Sequence, residues 1–283
     1  MTNYFFLTLD LEDWYHLEYF QKYDLSKDSI MVNEVFPFFD LLDKYNIKIT
    51  VFVLGELIEK HSELIVHISN RGHEIGIHGW DHILLHKKTT KSFLDEILKT
   101  KKALEKLIEK SVIGYRAPCF SLNNEKLDAL KTIGIKYDSS YIKFKEHPLY
   151  GSLSMSDFNK IDNLIYKKKG FYEFEIPTIS ILNKKIPISG GGYFRLFSKF
   201  IFLKLWKKYL KFNHNFNMYI HPFELTNRQV SLENIGLIDK YRFKVGRKDN
   251  LTKLDWFLKI AKSNDFKFIS IQRWITEHES FNN

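Results

Sequence analysis

The sequence is short of the residues that staple or interrupt a chain. It holds one cysteine, Cys119, so an intrachain disulfide is excluded, and with it the small disulfide-framed scaffolds. Such usage fits a reducing compartment, and a soluble cytoplasmic protein is expected. Six prolines and 13 glycines among 283 residues argue against collagen-like or proline-rich linker architecture. No apolar run approaches the roughly 20 residues of a membrane span. Residues 4–9 are apolar, but the run is short for a signal-peptide core and ends in the acidic residues 10–13.

Acidic residues are outnumbered, 34 against 43 Lys and Arg, for a net charge of +9. That balance raises the question of a polyanionic partner. The lysines, however, are scattered, and the densest patches, residues 99–102 and 167–169, are short. No stripe of alternating basic and aromatic residues is visible, so nucleic-acid binding is not expected. Aromatic residues make up 16% of the chain, which points first to a large core.

The pattern alternates strand and helix almost throughout. Residues 4–9, 48–54, 73–77, 112–115, 135–137, 217–220 and 266–271 read as strands. Residues 33–45, 56–70, 90–110, 123–133, 195–211 and 250–262 carry helical periodicity. Arg71-Gly72 reads as a helix C-cap, and residues 190–192, three glycines, as a backbone-permissive turn. Residues 138–192 are less regular, with extended stretches at 171–176 and 178–182. A basic, loop-like segment follows His221-Pro222. This alternation predicts a single α/β domain over residues 1–283, built on a mainly parallel sheet, either open or closed into a barrel.

Polar residues gather just after the strands: Asp10, His78, Arg116 and His221. Carboxyl ends of parallel strands converge on one mouth, so distant segments can meet there. His78 and His82, four apart, suit two first-row metal ligands. A carboxylate from Glu12 or Asp13 would complete a three-ligand site with a position open to water, the pattern of a catalytic metal. Asp10 and Glu12 share a face if the strand continues, and Asp13 takes that place if a turn intervenes. The remaining carboxylate, Asp10, could serve as general base, with Arg116 holding it through a bidentate pair. His221 could protonate a leaving group. These are the parts needed to hydrolyse an amide or ester. Trp80 and Tyr193, near strand ends, could stack on a sugar ring.

Taken together, these motifs resemble those of the polysaccharide deacetylases, carbohydrate esterase family four, and most closely a subgroup tied to exopolysaccharide and surface-glycan loci. The resemblance rests on Thr8-Leu9-Asp10-Leu11-Glu12-Asp13-Trp14, on His78-Gly79-Trp80-Asp81-His82 and on Arg116-Ala117-Pro118-Cys119-Phe120. Tyr219-Ile220-His221-Pro222 resembles the family's late histidine motif. Tyr137-Asp138-Ser139-Ser140 and Gly190-Gly191-Gly192-Tyr193-Phe194-Arg195 resemble the subgroup. It implies a distorted (β/α) barrel of about seven strands and a divalent metal, zinc before cobalt, manganese or nickel. It also implies removal of acetyl groups from N-acetylated sugars of a surface polysaccharide or its precursor. By the same resemblance Asp10 is the base, oriented by Arg116, and His221 the acid. The backbone N–H near Cys119 joins the oxyanion hole, with Pro118 and Phe120 beside it. Many members have two adjacent aspartates in the first motif, whereas Leu11 follows Asp10 here. The metal carboxylate is then Glu12 or Asp13, and the family's preference for aspartate favours Asp13. That departure also motivates an alternative, a catalytically inactive glycan-binding or scaffold member of the same fold.

Overall fold

The computed structural model describes residues 2–25, 27, 31–144, 149–182 and 184–280. Its main sheet has ten strands among the described residues. Five run parallel in sequence order: β1 (Asn3–Leu11), β2 (Thr50–Val53), β3 (Glu74–Ile77), β4 (Gly114–Tyr115) and β5 (Tyr137–Asp138). Next to β5 lies an antiparallel meander of β6 (Asn159–Asp162), β7 (Ile165–Lys168) and β8 (Phe171–Phe174). A separate hairpin, β9 (Thr178–Ile181) and β10 (Lys184–Pro187), follows. On the other flank β1 pairs with β11 (Phe216–Ile220) and with β12 (Phe266–Phe268), both parallel. Helices α1 (Phe36–Lys44), α2 (Ser62–Asn70), α3 (Thr90–Ile108) and α4 (Asn124–Thr132) alternate with the first strands. The later helices are α5 (Gly191–Leu196), α6 (Lys199–Leu210), α7 (Leu237–Lys244), α8 (Asn250–Ser263) and α9 (Ile271–Ser280).

The expected α/β alternation is present, and of the open and closed forms the sheet takes the open one, with more than the expected seven or so strands. The hydrogen-bonded order ends at β11 on one side and β6 on the other, giving a curled half-barrel. The curl is visible in side chains. Arg116, after β4, reaches Asp10 on β1 across two intervening strands. Asn217 on β11 donates to Ser139 Oγ and to the Glu175 carbonyl, so side chains bridge where the ladder does not.

Several boundaries moved for local reasons. The helix expected over 56–70 is split: a 3-10 turn spans Gly55–Leu57, and α2 begins only after His61. The helix expected over 195–211 is also two. Ser198 interrupts it by capping α6, its hydroxyl accepting from the Ile201 N–H. Gly72 takes φ +82° after α2, as the C-cap pattern predicts. The 190–192 glycines serve another purpose than expected. None has a positive φ; a Cβ at Gly191 would instead lie 1.7 Å from Glu224 Oε2. β6, β7, β10, α7 and α9 were not legible as elements, and the segment read as loop after His221-Pro222 contains α7.

Most aromatic residues are core. Phe5 packs against Phe216, Phe257, Phe266 and Phe268, and Trp206 against Phe257 and Phe266. Edge-on, tilted and stacked pairs of this kind hold large apolar areas in specific orientations. Among the buried charged and polar residues, Asp10, Glu12, His78, His82 and Arg116 gather at the carboxyl ends of the parallel strands.

Candidate active site

Alternation along β1 sets the first part of the site. Leu11 points into the core, so Asp10 and Glu12 emerge on the same side two residues apart. Both are buried. After β3 the chain turns at Gly79 (φ +88°), and His82 adopts φ +59°. This turn brings the His78 and His82 rings to 5.4 Å between centroids. His78 Nδ1 is paired with the Arg116 carbonyl at 3.0 Å, which leaves Nε2 facing inward. Glu12 Oε2 lies 2.7 Å from His82 Nε2 and 3.7 Å from His78 Nε2.

Glu12, His78 and His82 therefore offer three ligand atoms within 4.8 Å of one another, all from buried residues. Glu12 Oε2 and His82 Nδ1 are buried without a well-directed hydrogen bond. Buried polar atoms normally find partners, and an orphaned carboxylate oxygen between two imidazoles fits a shared cation. Burial opposes the charge on Glu12, yet His82, His221 and His78 hold its carboxyl well below the usual range. Burial pushes His78 down to about 4, so its neutral, ligating form prevails.

Asp13, favoured above as the metal carboxylate, does not join this group. Its carboxylate accepts from the N–H groups of Trp14 and Met31, at 2.8 and 3.0 Å, and caps the 3-10 turn Trp14–His16. A turn does intervene at Asp13, but it directs that side chain into the backbone. Glu12, with one more methylene, takes the place beside the histidines.

Asp10 is held as expected, with a different geometry. Arg116 is fully buried, and Nη1 donates to Asp10 Oδ1 at 2.7 Å and to Thr8 Oγ1 at 2.6 Å. Nε and Nη2 go to Ser139 O and Oγ, so the pair with Asp10 is single, and the fork grips Ser139 instead. Ser140 Oγ accepts from the Ala117 N–H, fixing the start of the next loop.

That loop, the 3-10 turn Pro118–Phe120, places Cys119 (φ +49°) and Phe120 (φ +55°) in left-handed conformations. Two such non-glycine residues in a row are strained and mark a shaped segment. Cys119 lines a cavity of about 190 Å³ together with Asp10, Glu12, His78, His82 and His221. Its N–H is a first-turn amide with no carbonyl of its own turn to bond. Phe120 lines the same cavity and packs edge-on against Tyr219. Pro118 packs beside Gly79, where a Cβ would come within 3.2 Å of its ring.

His221, after β11, reaches the cavity from the opposite side. Its Nε2 lies 3.6 Å from Glu12 Oε1 and 3.9 Å from Asp10 Oδ2. Its Nδ1 pairs with Glu224 Oε2 at 3.1 Å, and Glu224 Oε1 is in turn bound by Arg195 Nε at 2.9 Å. Burial works against a charged imidazole here, but Glu224, Glu12 and Asp10 outweigh it and raise His221 to about 9. Glu224 and Arg195 were assigned no role from sequence. The signal available was the His221-x-x-Glu224 spacing before a Pro-initiated turn.

Of the two ring residues expected to stack on sugar, Tyr193 borders the neighbouring cavity with His221. Trp80 does not face the site. Its ring packs against Gly55, with Lys99 Nζ 3.5 Å from its centre.

The polysaccharide deacetylase family profile matches residues 25–137, and a domain of unknown function (DUF3473) matches residues 139–276. The chain is 34% identical over 122 residues to a peptidoglycan deacetylase of Helicobacter pylori, covering 43% of this chain and 41% of that one. It is 40% identical over 65 residues to a peptidoglycan-N-acetylglucosamine deacetylase of Listeria monocytogenes, covering 23% and 14%. Residues 25–137 thus carry the polysaccharide deacetylase family pattern. It matches less than half the length of those two curated relatives. Solved folds agree. The carbohydrate esterase family four domain of a multidomain xylanase from the hindgut metagenome of Trinervitermes trinervoides superposes with TM-score 0.53 at 14% identity, covering 99% and 92%. A pseudoenzyme of the same family from Bacillus anthracis superposes with TM-score 0.54 at 13% identity, covering 97% and 66%. The first matched segment carries His78, His82 and Arg116. Arg195, His221 and Glu224 lie in the second, and the one cavity joins the two.

Proposed function

We propose that this chain is a metal-dependent hydrolase that removes acetyl groups from an N-acetylated sugar. The observation that carries the proposal is the convergence of Glu12, His78 and His82 on one side of a small cavity, with the Arg116–Asp10 and Glu224–His221 pairs facing it. Glu12, His78 and His82 would hold a divalent cation, zinc being the natural fit to a two-histidine, one-carboxylate set. That cation would supply Lewis-acid polarisation and acidify a water.

The chain's own groups supply the rest. Asp10, with Oδ1 fixed by Arg116, presents Oδ2 to the cavity as the base that takes a proton from the attacking water. The Cys119 N–H faces the position where negative charge develops on the acyl oxygen. His221, kept protonated by Glu224, donates from Nε2 to the departing amine. A lone hydroxyl leaving group would need that proton less than an amine does, which favours N-acyl over O-acyl substrates.

The test pairs elemental analysis of purified protein with acetate release from N-acetylated oligosaccharides. About one metal per chain and acetate release are expected, and His78→Ala should remove both. Full activity in a metal-free His78→Ala protein would overturn the proposal. The alternative, an inactive glycan-binding member, draws on the altered first motif and on the pseudoenzyme among the structural neighbours. Stoichiometric zinc with no acyl release from any N-acylated sugar would favour it.

A further inference from the structure

The catalytic cavity opens into a larger one. A trough of about 720 Å³ shares Leu17, Glu18, Tyr19, Tyr219 and His221 with the reacting pocket. Its remaining walls are largely apolar, with Tyr193, Leu196, Phe223 and Val245 among them. Tyr241 and Arg242, on α7, form one lip. Leu237 and Ile238 sit one turn earlier, at i−4 to those two, and so on the same helical face. The exposures are 83% for Leu237, 71% for Ile238, 63% for Tyr241 and 50% for Leu196 on the opposite lip.

A single exposed leucine needs no explanation. Four exposed apolar side chains at the mouth of an apolar cavity do. Aromatic rings alone would suit a sugar face as well as hydrocarbon. Leucine and valine walls offer nothing to sugar hydroxyls, and their burial gain comes from aliphatic surface. α7 also carries Lys240, Arg242 and Lys244, while its one acid, Asp239, is buried and engaged by Lys22, Tyr23 and Arg242. The lip is thus apolar and basic, a combination that favours approach to an anionic lipid surface.

We propose that the trough takes the hydrocarbon tail of the substrate, so that the acylated sugar arrives as the headgroup of a glycolipid. This rests on the deacetylase reading for what happens to the sugar, but not for what fills the trough. The experiment uses methyl, octyl and dodecyl N-acetylglucosaminides below their micelle concentrations. Acetate release by zinc-loaded protein is measured alongside calorimetric binding of the dodecyl glycoside to metal-free protein. From methyl to dodecyl, kcat/KM should rise at least about tenfold, since each buried methylene is worth about fourfold. A Leu196→Asp/Tyr241→Asp variant should lose that rise and keep the methyl glycoside rate. Equal kcat/KM at all chain lengths, unchanged in the variant, would overturn the proposal. Acetate release from none of the glycosides would sink the deacetylase reading instead, and calorimetry would then decide the trough. Dodecyl binding lost in the variant supports it, and absent or variant-insensitive binding overturns it.

Discussion

Two buried glutamates sit at opposite ends of the same sheet, and their surroundings differ in kind. Glu74 begins β3, whereas Glu12 follows β1. Glu74 is fully served: Tyr137 OH donates to Oε1, while Thr50 Oγ1 and the Gln272 N–H donate to Oε2 at 2.6 and 2.9 Å. It ties the β2 and β3 starts to the first turn of α9, where a carboxylate also meets a helix dipole favourably. Gly114 makes room for this, since a Cβ there would lie 2.1 Å from the Tyr137 hydroxyl. Glu12 has the opposite character, with an orphaned oxygen and three histidines around it. Burial raises Glu74, whereas the histidines lower Glu12. A buried acid fully served by donors is architecture; one gathered with two imidazoles within ligand reach could hold a cation.

The sharpest way to break that contrast is to neutralise each acid in turn. Glu12→Gln should lower kcat/KM by about a thousandfold or more and strip the metal. Its metal-free fold should lose a little stability, because the amide keeps the size of Glu12 but gives up the charge that His82, His221 and His78 stabilise. Glu74→Ala should do the reverse, costing about 1–3 kcal/mol of stability by stranding its buried donors, with metal content intact. Elemental analysis, acetate release and urea unfolding on both variants check this. Loss of metal in Glu74→Ala, or of stability alone in Glu12→Gln, would erase the distinction.

A smaller effect is expected one step out from the reacting groups. Glu224→Gln keeps the shape but removes the charge that holds His221 protonated. It should lower kcat about a hundredfold, the range of one general-acid contribution, with KM and metal content little changed. Gly191→Ala should act in the same direction, because the new Cβ occupies the place of Glu224 Oε2. Steady-state kinetics beside metal analysis would show whether either variant acts through loss of a metal instead.

The strand-end groups were legible because β-alternation and parallel topology are local rules: Asp10, His78, Arg116 and His221 each follow a strand that the pattern marked. Glu12 against Asp13 was open in sequence, since it turned on whether β1 ends at Leu11 or one residue later. Family preference pointed to Asp13, and the capping demand of Trp14–His16 took that side chain away. Trp80 was misread because proximity to a motif says nothing of which way a ring points after Gly79. Trp80→Ala should accordingly leave kcat/KM unchanged while loosening the packing around Gly55 and Lys99. The Arg195–Glu224–His221 relay was missed because Arg195 lies 26 residues before His221 and only the tertiary fold joins them. Strands β6 and β7 were hidden by weak alternation in polar segments, where packing against the sheet decides the conformation.

The smallest predicted effect tests the architectural acid by pH. Burial lifts the Glu74 carboxyl above its unfolded value of 4.5, so the native state keeps a proton that the unfolded chain has released. Stability contributed by Glu74 is therefore fully present below about pH 4.5 and declines as pH rises through the folded pKa. Asp138, pushed up to about 6 by burial against the opposing pull of Glu173 and Ser140, adds a decline of the same sign, so the slope is assigned by variant and not by the parent profile. Glu74→Gln removes one proton and leaves the Asp138–Glu173 pair untouched. Its stability by urea unfolding should fall less between pH 5 and 8 than that of the parent, with the two curves close at acid pH and separating toward alkaline pH as the amide keeps the Tyr137 and Gln272 contacts. Parallel curves would mean that Glu74 is ionised throughout, held by Tyr137, Thr50 and the α9 amide. The contrast with Glu12 would then rest on partners alone and not on charge.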